Sequence, residues 1–467
     1  MPKQKRYAIV LAAGQGTRMK SMRHKVLHSI GGKPMIEHVI DHLNTVGIDR
    51  IIVVVGSLSE QVMEQLGDRV EYVFQHEQLG TAHAVMQAKY LLADEQGTTF
   101  VVAGDAPLIQ PETLQMMVTQ HEREKASVTV LTATLENPFG YGRMIRNAAG
   151  DVDRIVEQKD GTAEELAISE VNSGTYCFDN QLLFHVLSQI DNKNAQGEYY
   201  LPDCVSVLKN QGHKVIAFET KDPEEIYGVN DRLQLTTAQK IMQRWILQYH
   251  MRNGVTIMDP ENTYIDADVV IGPDTMIYPG THLHGKTIIG ESCILGPNIQ
   301  LTDMIIGYEC HVFQTVATSS KIGPETSVGP FAYIRPNSDV GSHVKIGNFV
   351  EIKNSQIGDY TKVSHLGYVG DATVGQHTNI GCGAITVNYD GINKHRTIIG
   401  DRAFVGSNVN LIAPVKVEDG AYVVAGSTIT DDVPQNALAI ARERQIIKPE
   451  YAEKLRKKFQ SEKESKK

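Results

Sequence analysis

Two groups of residues in this chain have the types and spacing that chemistry requires. The first lies near the N-terminus. Leu11-Ala12-Ala13-Gly14-Gln15-Gly16-Thr17-Arg18-Met19 is an apolar run that turns through two glycines, and Lys25 follows. Glycines let backbone N–H groups approach a phosphate or a base closely. Met19 stands where a dinucleotide fingerprint has its third glycine, and no Walker-type GK[ST] follows. Arg18 and Lys25 are cations suited to phosphate oxygens. Asp105, in Gly104-Asp105-Ala106-Pro107-Leu108, is a hard oxygen ligand suited to Mg2+. The second group centres on His365, in the string HLGYVGD, with Arg335, Glu351 and Lys353 upstream. Histidine titrates near the working pH and is a fitting base for an ammonium nucleophile. Arg335, Lys353, Tyr368 and Asn379 suit an anionic substrate, and Glu351 can orient or charge His365. Ser407 and the backbone of Asn388-Tyr389 can steady an oxyanion. Cys382 is a possible nucleophile, although a direct transfer needs none; a small coil residue is its plainer reading.

These residues need different scaffolds. Residues 7–229 alternate strand-like runs (Tyr7–Ala13, Arg50–Val55, Val70–Phe74, Thr99–Ala103) with helical spacing (Pro34 to Val46, Thr81–Leu92). That order predicts a mostly parallel sheet with helices on both faces and a ligand at the carboxyl ends of its strands. Residues 231–252 read as one helix capped by Asp231 and ended by Asn253-Gly254, with Leu235, Ala238, Met242, Trp245 and Tyr249 on one face. Beyond it, aliphatic residues recur every six positions. One run is Ile265 to Leu301, a second Val316 to Ile352, and a third Ile399 to Ile429. A period of six fits neither an amphipathic helix nor a single strand; it is the signature of a parallel β-helix. The polar segment from Ala384 to Thr397, with Lys394, breaks the repeat, and such insertions often carry the binding face. The expected domains are therefore 1–229, a helical linker at 230–252, and a repeat domain at 253–467.

The front strings LAAGQGTRM, Lys25-Val26-Leu27, Gly32-Lys33-Pro34-Met35, Gln75 to Ala82, Asn137 to Arg143, Val156 to Asp160, Glu170 to Gly174 and Gly228-Val229-Asn230 resemble the sugar-1-phosphate nucleotidyltransferases. His24 departs from the proline common in that family. The rear half resembles the left-handed β-helix acyltransferases. With VEIKN, HLGYVGD, GxITVNYDG and VGSN in order, the chain from about Tyr7 to Arg442 resembles the bacterial bifunctional uridyltransferase/acetyltransferases of UDP-N-acetylglucosamine synthesis.

The resemblance implies a Rossmann-like α/β domain, a linking helix and a left-handed parallel β-helix. It implies Arg18 and Lys25 in uridyl transfer and UTP held by Leu11, Ala12, Ala13, Gly14, Lys25, Gln75, Gly80 and Thr81, with Gln75 and the Leu11–Gly14 backbone reading uracil. The sugar phosphate would lie on Gly140, Glu157, Asn172 and Asn230, and Mg2+ on Asp105 and Asn230. At the rear, Arg335, Lys353, Tyr368 and Asn379 would hold a sugar phosphate. Cys382, Asn388, Tyr389, Ser407, Ala425 and Arg442 would hold acetyl-CoA, and His365 would accept the proton. A homotrimer is implied as well. Two other readings compete: a single-activity nucleotidyltransferase with a structural repeat domain, and a metal site built from His343, His365 and His377.

Bulk properties set outer limits. At 467 residues the chain needs more than one domain, and more than half of its 40 glycines fall past residue 260. A net charge of −10 disfavours broad nucleic-acid binding, although Ala441 to Lys467 carries ten Lys/Arg against five Glu. Five cysteines without a CxxC, no signal peptide pattern and no long apolar run lead to the expectation of a cytoplasmic protein acting on small molecules, without membrane insertion.

Overall fold

The computed structural model describes residues 4–466; residues 1–3 and Lys467, the last lysine of the basic tail, lie outside the described residues. The chain divides into two compact units. One runs to Gln248 and takes in Ile265–Ala267; the other holds Tyr249–Tyr264 and continues from Asp268.

The first unit is built on strands β1 (Arg6–Ala12), β2 (Arg50–Val55), β3 (Glu71–Phe74), β4 (Thr98–Ala103), β5 (Val128–Thr134), β6 (Glu170–Asp179) and β7 (Val215–Glu219), in the order β7-β5-β6-β4-β1-β2-β3. All pairs along this path are parallel except those of β6, which runs antiparallel between β4 and β5. Strand β1 shows why its sequence is almost wholly apolar: Tyr7 and Ile9 enter the core on one face, and Ala8, Val10 and Ala12 the core on the other. Covered on both sides, the sheet leaves its strand ends as the place for a ligand.

The helix Arg232–Arg252 starts where Asp231 accepts the N–H of Gln234 at 2.9 Å. Ala238, Ile241 and Met242 are buried, with Leu235 and Trp245 packed beside them. The expected stripe fails at Tyr249, which is 64% exposed. Tyr249 falls outside the first unit, which ends at Gln248. The helical spacing of Thr81–Leu92 also divides, into Thr81–Met86 and Lys89–Leu92.

In the second unit, short strands stack in parallel, coil upon coil, into a β-helix. The hexad aliphatics point inward as expected, from Ile265 and Leu301 through Ile334 and Ile352 to Val405 and Val423. Val316 is the exception. It is 42% exposed, and Ala317 fills the core in its place, paired with Leu301 below and Ile334 above. The reason is a shortened coil: Leu301 and Ala317 are 16 residues apart rather than 18, so the six-residue frame slips. Two nine-residue strands, β8 (Lys345–Lys353) and β9 (Lys362–Gly370), run continuously around one corner, where Phe349 and Leu366 take positive φ. Among the described residues, no helix is long and apolar enough to cross a membrane.

Two buried histidines should make the first unit sensitive to acid. His38 donates Nε2–H to the carbonyl of Ile30 at 2.8 Å, and His121 bonds Thr129 at 2.9 Å. Burial pushes both imidazoles down to about 4. As pH falls from 6.5 toward 4, the unfolded chain takes up protons that the folded chain refuses, so stability drops. Each histidine should remove about 2 kcal/mol between neutral pH and pH 5. Urea unfolding of His38→Gln at pH 7.5 and 5 should therefore show a loss smaller by that amount than wild type. An equally steep loss would rule His38 out as a source of the acid sensitivity.

Candidate active sites

The glycine turn after β1 is sterically required. Gly16 sits at φ 61, and a Cβ there would meet the Cβ of Lys25 at 2.7 Å. The turn thus brings Lys25 across the strand end. There Lys25 Nζ contacts the carboxylate of Asp105 and donates to Asn230 Oδ1 at 3.2 Å. Arg18 donates to the same Asn230 oxygen at 3.0 Å. Asn230 is fixed in turn, its N–H donating to Gln234 at 2.8 Å and Val229 N–H to the Asp105 carbonyl at 3.1 Å. Four residues dispersed over more than 200 positions meet at one point. Leu11, Ala12, Ala13, Gly14, Lys25, Gln75, Gly80, Thr81 and Asp105 line a single cleft. His24 also lines it, with φ −57 and ψ 142, a conformation that proline adopts, so its substitution for proline leaves the loop path intact.

Of the residues expected at the front sugar phosphate, Gly140, Glu157 and Asn172 form a second cluster. Asn172 donates to the Tyr176 hydroxyl at 2.7 Å and accepts Gly174 N–H at 3.0 Å. It pairs in register with Gly142, whose backbone lies against Glu157, and Gly140 N–H donates to Gln158 at 3.0 Å. Burial, then Asp160 and Asp203, push the Glu157 carboxyl above its ordinary value.

At the rear, the residues fall on a corner and on the faces either side of it. The corner holds His365 and, on following coils, Cys382, Ser407, Ala425 and Arg442. Coil-to-coil hydrogen bonds tie them together: Gly383 N–H to Leu366 at 2.6 Å, Asn408 N–H to Cys382 at 2.7 Å and Gly426 N–H to Ser407 at 2.8 Å. Arg442 reaches the same column, its Cδ lying against Gly426. On the face past the corner, Lys353 donates to Asp371 at 3.1 Å, Asn354 donates to Asp371 at 2.6 Å, and Asn388 contacts both Asp371 and, at 3.3 Å, the Tyr368 hydroxyl. Burial raises the Asp371 carboxyl, but hydrogen bonds from Asn354, Lys353 and Asn388 outweigh it and hold it below its usual range. Tyr389 pairs with Lys394 in the adjoining insertion. Asn379 is not in this cluster. It lies on the face before the corner, in register with Lys362 and Phe404.

Two expectations change here. Glu351 does not touch His365; it takes Arg335 at 2.8 Å, because Arg335 and Glu351 lie on the same face of neighbouring coils. The partner of His365 is Asn348, opposite it in register, whose Oδ1 lies 3.1 Å from Nδ1. An amide oxygen only accepts, so Nδ1 carries the proton and Nε2 keeps a lone pair. The metal reading also fails. His343 and His377 stack on opposite faces of Tyr360, at 4.5 and 4.7 Å between ring centroids, while His365 lies at the other corner. Among the described residues no group of three His, Cys, Asp or Glu is placed to hold a metal ion.

Comparison with known proteins agrees with this division. The nucleotidyl transferase family matches residues 7–233, and the bacterial transferase hexapeptide family (six repeats) matches residues 261–298, 319–354 and 396–431. The bifunctional protein GlmU of Geobacillus sp. (strain WCH70) is 56% identical over 97% of this chain and 98% of its own length. The proteins of that name from Brevibacillus brevis and Listeria welshimeri are 54% and 53% identical, each over 97% of this chain and 98% and 99% of their own. A solved UDP-glucose pyrophosphorylase complexed with UDP-glucose covers 52% of this chain and 99% of its own at 18% identity, with a TM-score of 0.44, too distant to argue from.

Proposed function

We infer the function from one premise: the chain belongs to the family of the bifunctional protein GlmU. It is a two-activity enzyme of UDP-N-acetylglucosamine synthesis. It acetylates glucosamine-1-phosphate with acetyl-CoA, then transfers UMP from UTP to N-acetylglucosamine-1-phosphate and releases pyrophosphate. The full-length match to bifunctional relatives sets aside a purely structural repeat domain.

Uridyl transfer belongs to residues 1–229 with Asn230, and the convergence of Arg18, Lys25, Asp105 and Asn230 carries that assignment. A phosphate oxygen of the sugar attacks the α-phosphorus as the bond to pyrophosphate breaks. Arg18 and Lys25 neutralise the charge that develops. The oxygens of Asp105 and Asn230 already share one cation, the Lys25 ammonium, so this donor pair fits a small hard cation. Asp105 and Asn230 would hold Mg2+ there, and the ion would supply further charge neutralisation for the phosphates. Gln75 and the Leu11–Gly14 backbone face the base. Gly140, Glu157, Asn172 and Asn230 hold the sugar phosphate.

Acetyl transfer belongs to the repeat domain at 253–467, beyond the linking helix at 230–252. His365 Nε2 takes a proton from the amine as nitrogen attacks the thioester carbonyl and the coenzyme A sulfur leaves. Arg335, Lys353, Tyr368 and Asn379 hold the sugar phosphate. The corner column of Cys382, Ser407, Ala425 and Arg442, with Asn388 and Tyr389, receives acetyl-CoA. Asn379 and Lys353 lie on faces either side of the corner, which supports a site completed by a neighbouring copy in a homotrimer. So does the exposed apolar ridge of Phe331, Phe349 and Leu366 beside His365. A cytoplasmic location is supported by five unpaired cysteines.

The test is one reaction holding glucosamine-1-phosphate, acetyl-CoA, UTP and Mg2+. UDP-N-acetylglucosamine, free coenzyme A and pyrophosphate should all accumulate. Product formed only from pre-acetylated sugar phosphate would overturn the assignment of the rear half.

A further inference from the structure

We propose that His83 sets the nucleobase preference of the front site by fixing which end of the Gln75 carboxamide faces the cleft. The proposal rests on the reading above in which Gln75 meets the base. Gln75 follows β3, donates its backbone N–H to Val55 at 2.8 Å and is only 4% exposed. A primary amide has a donor end and an acceptor end of nearly the same shape, so what a buried glutamine recognises depends on which end its neighbours claim.

Two neighbours claim the donor end. Gln75 Nε2 lies 3.1 Å from the carbonyl oxygen of Gly80 and 3.1 Å from Nδ1 of His83. A carbonyl oxygen only accepts, so it requires the NH2 end of Gln75. Gly80 cannot yield. It sits at φ 111, where a Cβ would strike the Tyr199 carbonyl oxygen at 2.5 Å, and it is clamped by Tyr199 N–H to Leu79 at 2.8 Å and Ala82 N–H to Tyr199 at 2.9 Å. The second amide hydrogen then falls to His83, whose Nδ1 must be an acceptor and whose proton must sit on Nε2. The other amide beside the ring, Gln87, lies 3.2 Å from Nε2 and donates to the His83 carbonyl at 2.8 Å. The His83 carbonyl takes a hydrogen of Gln87, which is half-exposed, whereas both hydrogens of nearly enclosed Gln75 need partners within the protein.

With both hydrogens engaged within the protein, Gln75 offers the cleft its Oε1. An acceptor there pairs with the N3–H of uracil. Cytosine carries an unprotonated N3 on the same edge and would set acceptor against acceptor, leaving buried polar groups unpaired. His83 is absent from the cleft lining, so it acts through Gln75 as a positioning residue. Without its Nδ1, one amide hydrogen of Gln75 loses its partner and the Gly80 carbonyl alone holds the NH2 end inward, so the preference for an acceptor in the cleft is weakened.

The experiment uses the full chain with N-acetylglucosamine-1-phosphate and Mg2+, and compares kcat/KM for UTP and CTP. His83→Ala should lower the UTP-to-CTP ratio by about tenfold, chiefly through KM for UTP. His83→Asn should restore most of the ratio, because its Oδ1 can stand where Nδ1 stands and accept the same hydrogen. Gln75→Ala is the control for the underlying reading. A ratio that survives His83→Ala but collapses in Gln75→Ala would overturn the proposal and leave the base contact standing. A ratio that survives both would remove the base contact as well. Equal loss in His83→Ala and His83→Asn would make the ring a packing element rather than an acceptor, and would also overturn the proposal.

Discussion

Asp105→Ala should slow uridyl transfer on the order of 10³-fold while acetyl transfer proceeds at its wild-type rate. The size follows from charge. A transferring nucleotide brings a triphosphate beside a second phosphate, and several kcal/mol of its stabilisation comes from cations that neutralise those oxygens. Asp105 is the only carboxylate on the Lys25 ammonium among the described contacts, and with Asn230 it forms the oxygen pair proposed for Mg2+. Its removal withdraws the anionic ligand and also frees Lys25 from the position in which Asp105 holds it. Asp105→Asn separates the two effects. It keeps an oxygen near Lys25 but loses the charge, so the Mg2+ concentration for half-maximal rate should rise steeply. Near-normal Mg2+-dependent turnover in either variant would take Asp105 out of the metal site. Acetyl transfer is the internal control, since His365 and its neighbours lie in the other compact unit.

What could be read from the sequence followed the range over which each interaction acts. The β-helix was legible because every coil repeats the same local demand, an inward aliphatic and a corner. Val316 was misplaced because one short coil shifts the frame without changing composition. The front site was legible as a string, yet no local pattern joins Asn230 to Lys25; they meet only once β1, β4 and the helix after Val229 are in place. Asn348 went unseen for a related reason. It stands 17 residues before His365, which in this fold is one coil and therefore direct opposition. The charge of Glu351 suits His365, but register gives it to Arg335 instead. Asp371 was noticed only as the end of HLGYVGD. Its part as the common acceptor for Lys353, Asn354 and Asn388 depends on contacts between three coils. His83 lay inside a recognised string, but its use appears only when the amide of Gln75 is followed atom by atom.

His365→Ala should cut acetyl transfer by roughly 10²–10⁴-fold, the usual cost of losing a positioned general base. The geometry says which ring nitrogen is free. Asn348 Oδ1 takes the Nδ1 proton at 3.1 Å, so the free lone pair is on Nε2, and the ring is exposed at the corner where the Cys382, Ser407 and Ala425 column begins. The amine of glucosamine-1-phosphate is largely protonated at neutral pH, so a proton must leave before or during attack. Loss of the base should lower kcat and leave KM for acetyl-CoA near its wild-type value, because the proposed cofactor residues lie on following coils. Asn348→Ala should give a milder defect of the same kind, lowering kcat without weakening acetyl-CoA, since it removes the group that fixes the tautomer rather than the base itself. Uridyl transfer from N-acetylglucosamine-1-phosphate should be intact in both variants. A folded His365→Ala enzyme that acetylates within a few-fold of wild type would exclude His365 as the base. Activity restored simply by more acetyl-CoA would make it a binding residue, and the proton would then need another acceptor on the same corner.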